Sequence, residues 1–395
     1  MASGGTGPFV ILYACTMSSG DKYDVVVVGG GLAGLSAAII LARAQFKVLV
    51  LEKESYPKHK VCGEYISMES KPFLQSLGIP IDELQLPVIS KLQVTDTRGN
   101  VLNTDLPQGG FGISRYKLDA MLAELVQEAG ATLLTKTRAD NVQWENDHFI
   151  VTARGQTFTA RLVCGSWGKR SNIDVKWHRP FITEKISALN NYVAVKYHIM
   201  YPWPGDAVGL HNFEDGYCGI SQVEDGKTCL CYLTTAATLH KCGNDLKRLE
   251  QDVVMKNPWM YEIFRKAEFL YESPVTISQI SFEQKAQVED HVLLLGDAAG
   301  MITPLCGNGM SMALRAASIA ATLATDFLQG NISRSEMEKS YVAGWKSAFS
   351  KRVTLGRFVQ RNFGKGLATA LLIKTVNALP FVRKALINGT SGHVF

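Results

Sequence analysis

The stretch VVVVGGGLAG, Val25 to Gly34, limits what this chain can fold into more than any other part of it. Gly29, Gly31 and Gly34 stand as G-x-G-x-x-G directly after a β-branched run, Tyr23 to Val28, and ahead of a small-residue segment that reads as a helix. A second apolar run, Lys47 to Leu51, ends at Glu52, eighteen residues beyond Gly34. Strand, tight turn, helix and strand in that order open a parallel doubly wound sheet. The first glycine permits the turn, the second lets backbone amides approach a pyrophosphate, and the third lets helix and strand pack. The helix N-terminus adds positive potential for the phosphates. Glu52 is placed to accept hydrogen bonds from the adenosine ribose, and its neighbour Lys53 is grouped with it as a cofactor-binding residue.

Beyond this unit the chain predicts a helix over Arg115 to Ala129, then short strands around Ala131, Phe149 and Leu162, with the alternation in His148 to Ala153 pointing to a hairpin layer. From about Tyr192 to Phe282 the pattern is antiparallel strands, notably Tyr217 to Gln222 and Thr228 to Thr234 joined through Glu224-Asp225-Gly226, with helices near 244 to 266. His291 to Leu295 is again a buried-type strand, followed by a long small-residue helix beginning near Gly309. The first domain is therefore expected to be discontinuous.

A second motif follows that strand: GDAAGMITPLCGNGMSMALRAA, Gly296 to Ala317. With the glycine fingerprint it resembles the flavin-contacting segments of the p-hydroxybenzoate hydroxylase superfamily, which includes aromatic hydroxylases, flavin halogenases and geranylgeranyl reductases. The resemblance implies non-covalent FAD, with Asp297 on the ribityl chain and Pro304, Gly307, Gly309 and the Met310 amide bordering the isoalloxazine. Glycines allow close backbone approach, and amides at a helix start can stabilise negative charge on a reduced flavin. SRYKLDAMLAEL resembles the Arg-x-x-x-Asp-x-x-Leu segment of the same superfamily, which makes Arg115 a cofactor contact and Asp119 its structural partner.

KHKVCGEYIS, Lys58 to Ser67, is most similar to the geranylgeranyl reductase branch and would put Cys62 beside the flavin as a catalytic candidate. A thiol there could contribute polarity, proton transfer or redox exchange; its bland alternative is a small buried apolar residue. The chain departs from related branches at three places. Trp167 stands where many hydroxylases carry the Asp of an Asp-Gly pair linked to pyridine-nucleotide use. Tyr217-Cys218-Gly219-Ile220-Ser221-Gln222 keeps only the tyrosine of a Tyr-x-Trp-x-Phe-Pro stretch found in prenyl reductases, and the halogenase Trp-x-Trp-x-Ile-Pro element is absent.

The implied fold is α/β: a Rossmann-like FAD-binding domain of the glutathione-reductase type 2 class (21–85, 110–175 and 285–330), an antiparallel β-sheet substrate domain (86–109 and 176–284) and a helical C-terminal segment (331–395). Residues 1–20 read as a leader expected to be disordered, with Met17 as the native start. Eight Cys with no Cys-x-x-Cys pair point to free thiols in a reducing cytoplasm and to no metal. Lys339 to Phe395 carries ten Lys and Arg and no acid, leaving 31 basic against 36 acidic residues in the rest of the chain. Phe358, Phe363, Leu367, Leu371, Leu372, Val376 and Leu379 recur there at roughly helical spacing, like a basic amphipathic helix. That segment would either pack on the acidic body or contact the inner face of a membrane or an acyl carrier protein; no nucleic-acid partner is expected.

The expected function is that of an FAD-dependent oxidoreductase reducing carbon-carbon double bonds of an apolar prenyl, polyene or acyl substrate, with NAD(P)H or another reductant as electron donor. The alternatives are a flavin monooxygenase acting on an apolar or aromatic substrate and an electron-transfer flavoprotein docking to a membrane or carrier.

Overall fold

The computed structural model describes residues 21–183, 191–303, 307–362, 364–390 and 392–395. The leader (1–20), Pro304 and Phe363 lie outside the described residues.

The first sheet is built around Lys22–Val28, which lies between Val48–Leu51 and Gln156–Gly165 and runs parallel to both, with Val25 in register with Val48 and Leu162. Thr132–Leu134 extends it beyond Val48–Leu51, and Val292–Leu294 extends it beyond Gln156–Gly165, again in parallel. Ala139–Glu145 and His148–Ala153 form the expected hairpin, antiparallel to Gln156–Gly165. Val25 to Val28 and Val48 to Leu51 are all buried, as continuous apolar runs must be when both faces of a parallel sheet are covered. Helices Leu32–Arg43 and Gly309–Leu328 pack on each other through their small residues.

The second sheet is nine-stranded among the described residues and mostly antiparallel. Tyr192–Met200, Thr228–Thr235, Gly216–Gln222 and Ala207–Phe213 follow one another across it. Ala207–Phe213 then pairs in parallel with Val88–Thr95, which is antiparallel to Val101–Gly112. Tyr65–Ser67, just after the Cys62 loop, adds a short strand to Val101–Gly112 and so ties the two sheets together.

Alternation along Tyr192–Met200 sorts its residues into two layers. Val193, Val195, Tyr197 and Ile199 pack with Leu249, Met260 and Ile263 from the covering helices. Tyr192, Ala194, Lys196 and His198 point the other way, toward the first domain, and are buried there as well.

The C-terminal segment is three helices rather than one: Arg334–Asn362, Gly366–Ala378 and Pro380–Thr390. The Tyr341 hydroxyl donates to the Leu294 carbonyl (2.6 Å), Arg352 pairs with buried Glu69 (2.9 Å), and the Arg357 Nε donates to the Phe282 carbonyl (2.9 Å). Two of the ten unopposed cations are thus used internally. Ile373 and Val376 pack against Val94 and Leu102 of the second sheet. No helix among the described residues is long and apolar enough to cross a membrane.

Candidate functional site

One continuous cavity of about 910 Å³ runs between the two sheets. Gly29, Gly31, Glu52, Lys53 and Arg115 line one part of it, and Cys62, Asp297, Gly307, Gly309 and Met310 line another. Two motifs almost 270 residues apart in sequence therefore border a single space. Gly34 is the exception among the cofactor-binding candidates that lie within the described residues. It does not reach the cavity; a Cβ there would lie 2.1 Å from the Gly29 carbonyl oxygen and 2.2 Å from the Ser166 Oγ, so its task is to let helix and strand pack. Gly31, by contrast, faces open space, the nearest atom to an added Cβ being the Arg115 Nη2 at 3.7 Å. Gly29 needs its freedom twice over, for a φ of 106° and for the Ser166 backbone packed against it.

Two helices whose N-termini face this space, Leu32–Arg43 and Gly309–Leu328, have no side-chain cap. Ser114, Ser171, Thr235, Asp245 and Asn257 cap five other helices. The first amides of a helix need acceptors. Leaving them without a side-chain partner at the cavity suits an anionic or carbonyl-bearing ligand there.

Glu52 is held rigidly. Its Oε2 accepts from the Gly30 amide (2.8 Å), and its Oε1 meets the Lys58 ammonium (2.7 Å) and the Glu54 amide (3.0 Å). Burial alone would raise its pKa; Lys58, aided by Lys60, pulls it below the usual value. The Arg115 guanidinium is clamped by Asp119 through Nε (2.7 Å) and Nη2 (2.8 Å), and Asp119 is fully buried. Burial works against the Arg115 charge, but Asp119, with Cys62 and Asp297 adding to it, raises its pKa above the ordinary guanidinium value. Arg115 thus lines the cavity, and Asp119 holds its guanidinium from behind.

Cys62 is half-buried, and its sulfur accepts from the Glu64 amide (3.4 Å). Cys231 also lines the cavity, but burial pushes its thiol up to about 12. Trp167 lines the cavity too and is fixed by Asp174 (3.0 Å).

The motifs gave no hint of what lies behind the Cys62 loop. Lys196 and His198, neighbours on one face of Tyr192–Met200, converge on Glu64, which is wholly buried. The chain of contacts continues from His198 Nδ1 to the Tyr271 hydroxyl (2.5 Å) and on to His59 Nδ1 (3.1 Å). Burial would raise the Glu64 pKa, but Lys196 and the bond to His198 hold it near 2. Glu64, His198 and Cys229 could together offer three ligands to a metal ion; here the Lys196 ammonium already supplies the compensating positive charge. Lys285 is the other missed cation, buried and donating to the carbonyls of Lys169 (2.9 Å) and Asp297 (2.8 Å), with desolvation lowering its pKa to about 8.

Away from the two glycine motifs the cavity becomes an apolar chamber. Ala194, Leu210, Ile220 and Leu233 of the second sheet form one wall. Leu355, Val359, Ile373, Val376, Leu386 and Ile387 of the C-terminal helices roof it.

With this geometry in place, comparison with known proteins becomes decisive. The family described as FAD binding domain matches residues 22–343. The chain belongs to that family. It is an FAD-dependent oxidoreductase by membership, and its cavity suits the cofactor: an open glycine loop, helix ends without side-chain caps and Glu52 lie along one space. The chain is 24% identical over 395 residues to a menaquinone reductase of Mycobacterium tuberculosis, covering 94% of this chain and 90% of that protein. Among solved structures, a flavin-dependent brominase superimposes with a TM-score of 0.77 at 16% identity, covering 95% and 94% of the two chains. A geranylgeranyl bacteriochlorophyll reductase-like protein from Thermoplasma acidophilum gives 0.74 at 19% identity, covering 94% and 96%. At these identities the structural likeness is one of fold.

Proposed function

We propose that the enzyme reduces a carbon-carbon double bond in an apolar substrate of the prenyl or quinone side-chain kind, drawing electrons from NAD(P)H. The observation that carries this reading is the continuity of the cofactor space with a chamber walled by aliphatic side chains, which suits a ligand with little to offer in hydrogen bonds. The name of the menaquinone reductase, a relative by sequence, fits an apolar quinone-type substrate. Bound FAD would supply the hydride for one carbon of the double bond. Asp297 would hold its ribityl chain, Gly307 and the amides at the start of Gly309–Leu328 would border its ring system, and Glu52 and Arg115 would hold its other end. Cys62 stands on the cavity wall, where it can hand a proton to the second carbon or fix the group that does.

The test is anaerobic. Enzyme reduced with NADH or NADPH is mixed with geranylgeraniol or a menaquinone, and the flavin spectrum and the products are followed. Reoxidation without oxygen, with a saturated bond in the product, supports the proposal. Reoxidation that requires oxygen and leaves a hydroxylated product sinks it in favour of hydroxylation. Cys62→Ser is expected to keep its FAD and to slow turnover by about 10²-fold or more, the usual worth of a positioned proton donor; unchanged turnover and pH profile would remove Cys62 from the reaction.

A further inference from the structure

The helical roof carries a repeated pattern of exposed apolar and basic side chains. Phe358, Leu371 and Phe381, one on each of the three C-terminal helices, are 63%, 67% and 70% exposed. Each has an exposed cation three residues further on, Arg361, Lys374 and Lys384 respectively. Residues at i and i+3 share a helix face, so an apolar side chain and a positive charge stand together three times over. Scattered exposed apolar residues need no explanation. This arrangement differs, because it recurs at one spacing on successive helices in a stretch with no acidic residue after Glu338.

Other faces of the same helices are already occupied. Val359 lines the chamber beside Phe358, and Ile373 and Val376, with Leu386 and Ile387, line it from the sides of their helices away from Leu371 and Phe381, so the roof is apolar on its inner side and carries apolar and basic residues on its exposed side. We infer that the outer side docks on an anionic lipid bilayer, with Phe358, Leu371 and Phe381 entering the interface and the three cations at headgroup level. Interfacial helices bind by this combination of shallow apolar insertion and attraction to acidic lipid. An acidic carrier protein would satisfy the cations. It would also have to offer three separate apolar recesses to match side chains spread singly over three helices, whereas a bilayer accepts them wherever they fall.

Arg383 links the two sides: it is half-buried, lines the chamber and lies between Phe381 and Lys384 on the chain. A bilayer-dissolved substrate would meet the chamber through the helix that touches the membrane. That last step rests on the proposed apolar substrate; the docking itself does not.

The experiment is sedimentation of the full-length, FAD-loaded protein with vesicles of phosphatidylcholine alone and of phosphatidylcholine with phosphatidylglycerol. Binding is expected to the anionic vesicles, about tenfold or more above the neutral ones, and to fall steeply as salt rises, because exposed charges are screened over about 10 Å at 0.1 M. Lys374→Glu with Lys384→Glu should lose about tenfold in binding with FAD content unchanged, and Phe381→Ser should weaken binding to anionic vesicles even at low salt. Equal partitioning to both vesicle types, no partitioning to either, or capture by an acyl carrier protein without vesicle binding overturns the inference. Each readout is binding, so failure here is distinguishable from failure of alkene reduction.

Discussion

Two buried strands, one from each sheet, solve burial in opposite ways. Lys22–Val28 buries Val25 to Val28 with nothing charged among them, and its neighbour Val48–Leu51 does the same. Tyr192–Met200 is buried almost throughout yet includes Lys196, whose charge is met by Glu64 on a loop from the other domain, and His198, whose Nε2 also contacts that carboxylate. An apolar strand tolerates any apolar partner of suitable volume. A buried ammonium tolerates one arrangement, because desolvation is repaid only when the carboxylate is in place. The first sheet is therefore specified by hydrophobicity and the seam between the sheets by charge.

The largest test of that contrast lies at the glycines. Gly34→Val would press a side chain into the Gly29 carbonyl and Ser166, backbone and buried side chain that cannot yield. A loss above about 4 kcal/mol is expected, seen as failure to recover soluble holoprotein. Gly31→Glu, facing open space, should fold and emerge colourless because its carboxylate would occupy the cofactor's place; full FAD occupancy would disprove the assignment of that loop.

At the seam, Lys196→Met strands the Glu64 carboxylate and should cost about 3–5 kcal/mol in urea denaturation. Adding Glu64→Gln should recover part of the loss. If the double variant is as unstable as the sum of the single ones, the two residues are not coupled and the contrast fails.

A pH titration gives a smaller effect of defined sign. Glu64 is held at about 2 in the folded protein against an ordinary 4.5, so its contribution is present above 4.5 and lost as pH falls toward 2. Glu64→Gln should flatten stability over that range. Lys285 gives a slope of the same sign at high pH, because burial disfavours its charged form. Its folded value of about 8 lies below the ordinary 10.5, so the unfolded chain binds more protons between the two and stability rises with pH there. Lys285→Met should remove that slope, the smallest of these changes.

The same contrast explains what was legible in the sequence. Gly29, Gly31, Glu52, Arg115 and Asp297 sit in local patterns whose spacing carries their role, and the structure brings them to one cavity. The first sheet was readable because its strands are near-continuous apolar runs. The Glu64–Lys196–His198 cluster was not, since Glu64 and Lys196 are separated by 132 residues and a lysine in a strand reads as exposed. The C-terminal segment was half read. Its basic character was plain, but its division into three helices, the first ending at Asn362 and the second running from Gly366 to Ala378, was missed, and Val376 proved to face inward while Phe358, Leu371 and Leu379 face out.

Val292–Leu294 closes the edge of Gln156–Gly165 although the chain runs through most of the second sheet in between. On a ribosome, where about 5–20 residues are added each second, that edge waits roughly 6–25 s for its partner. During that interval the nascent protein presents an unprotected strand next to a hydrophobic hairpin, an invitation to wrong pairing. Yield in a cell should accordingly depend on chaperone supply and translation speed more than on the stability of the finished enzyme. Synonymous recoding that slows or speeds residues 166–291 would alter soluble yield without changing a single side chain.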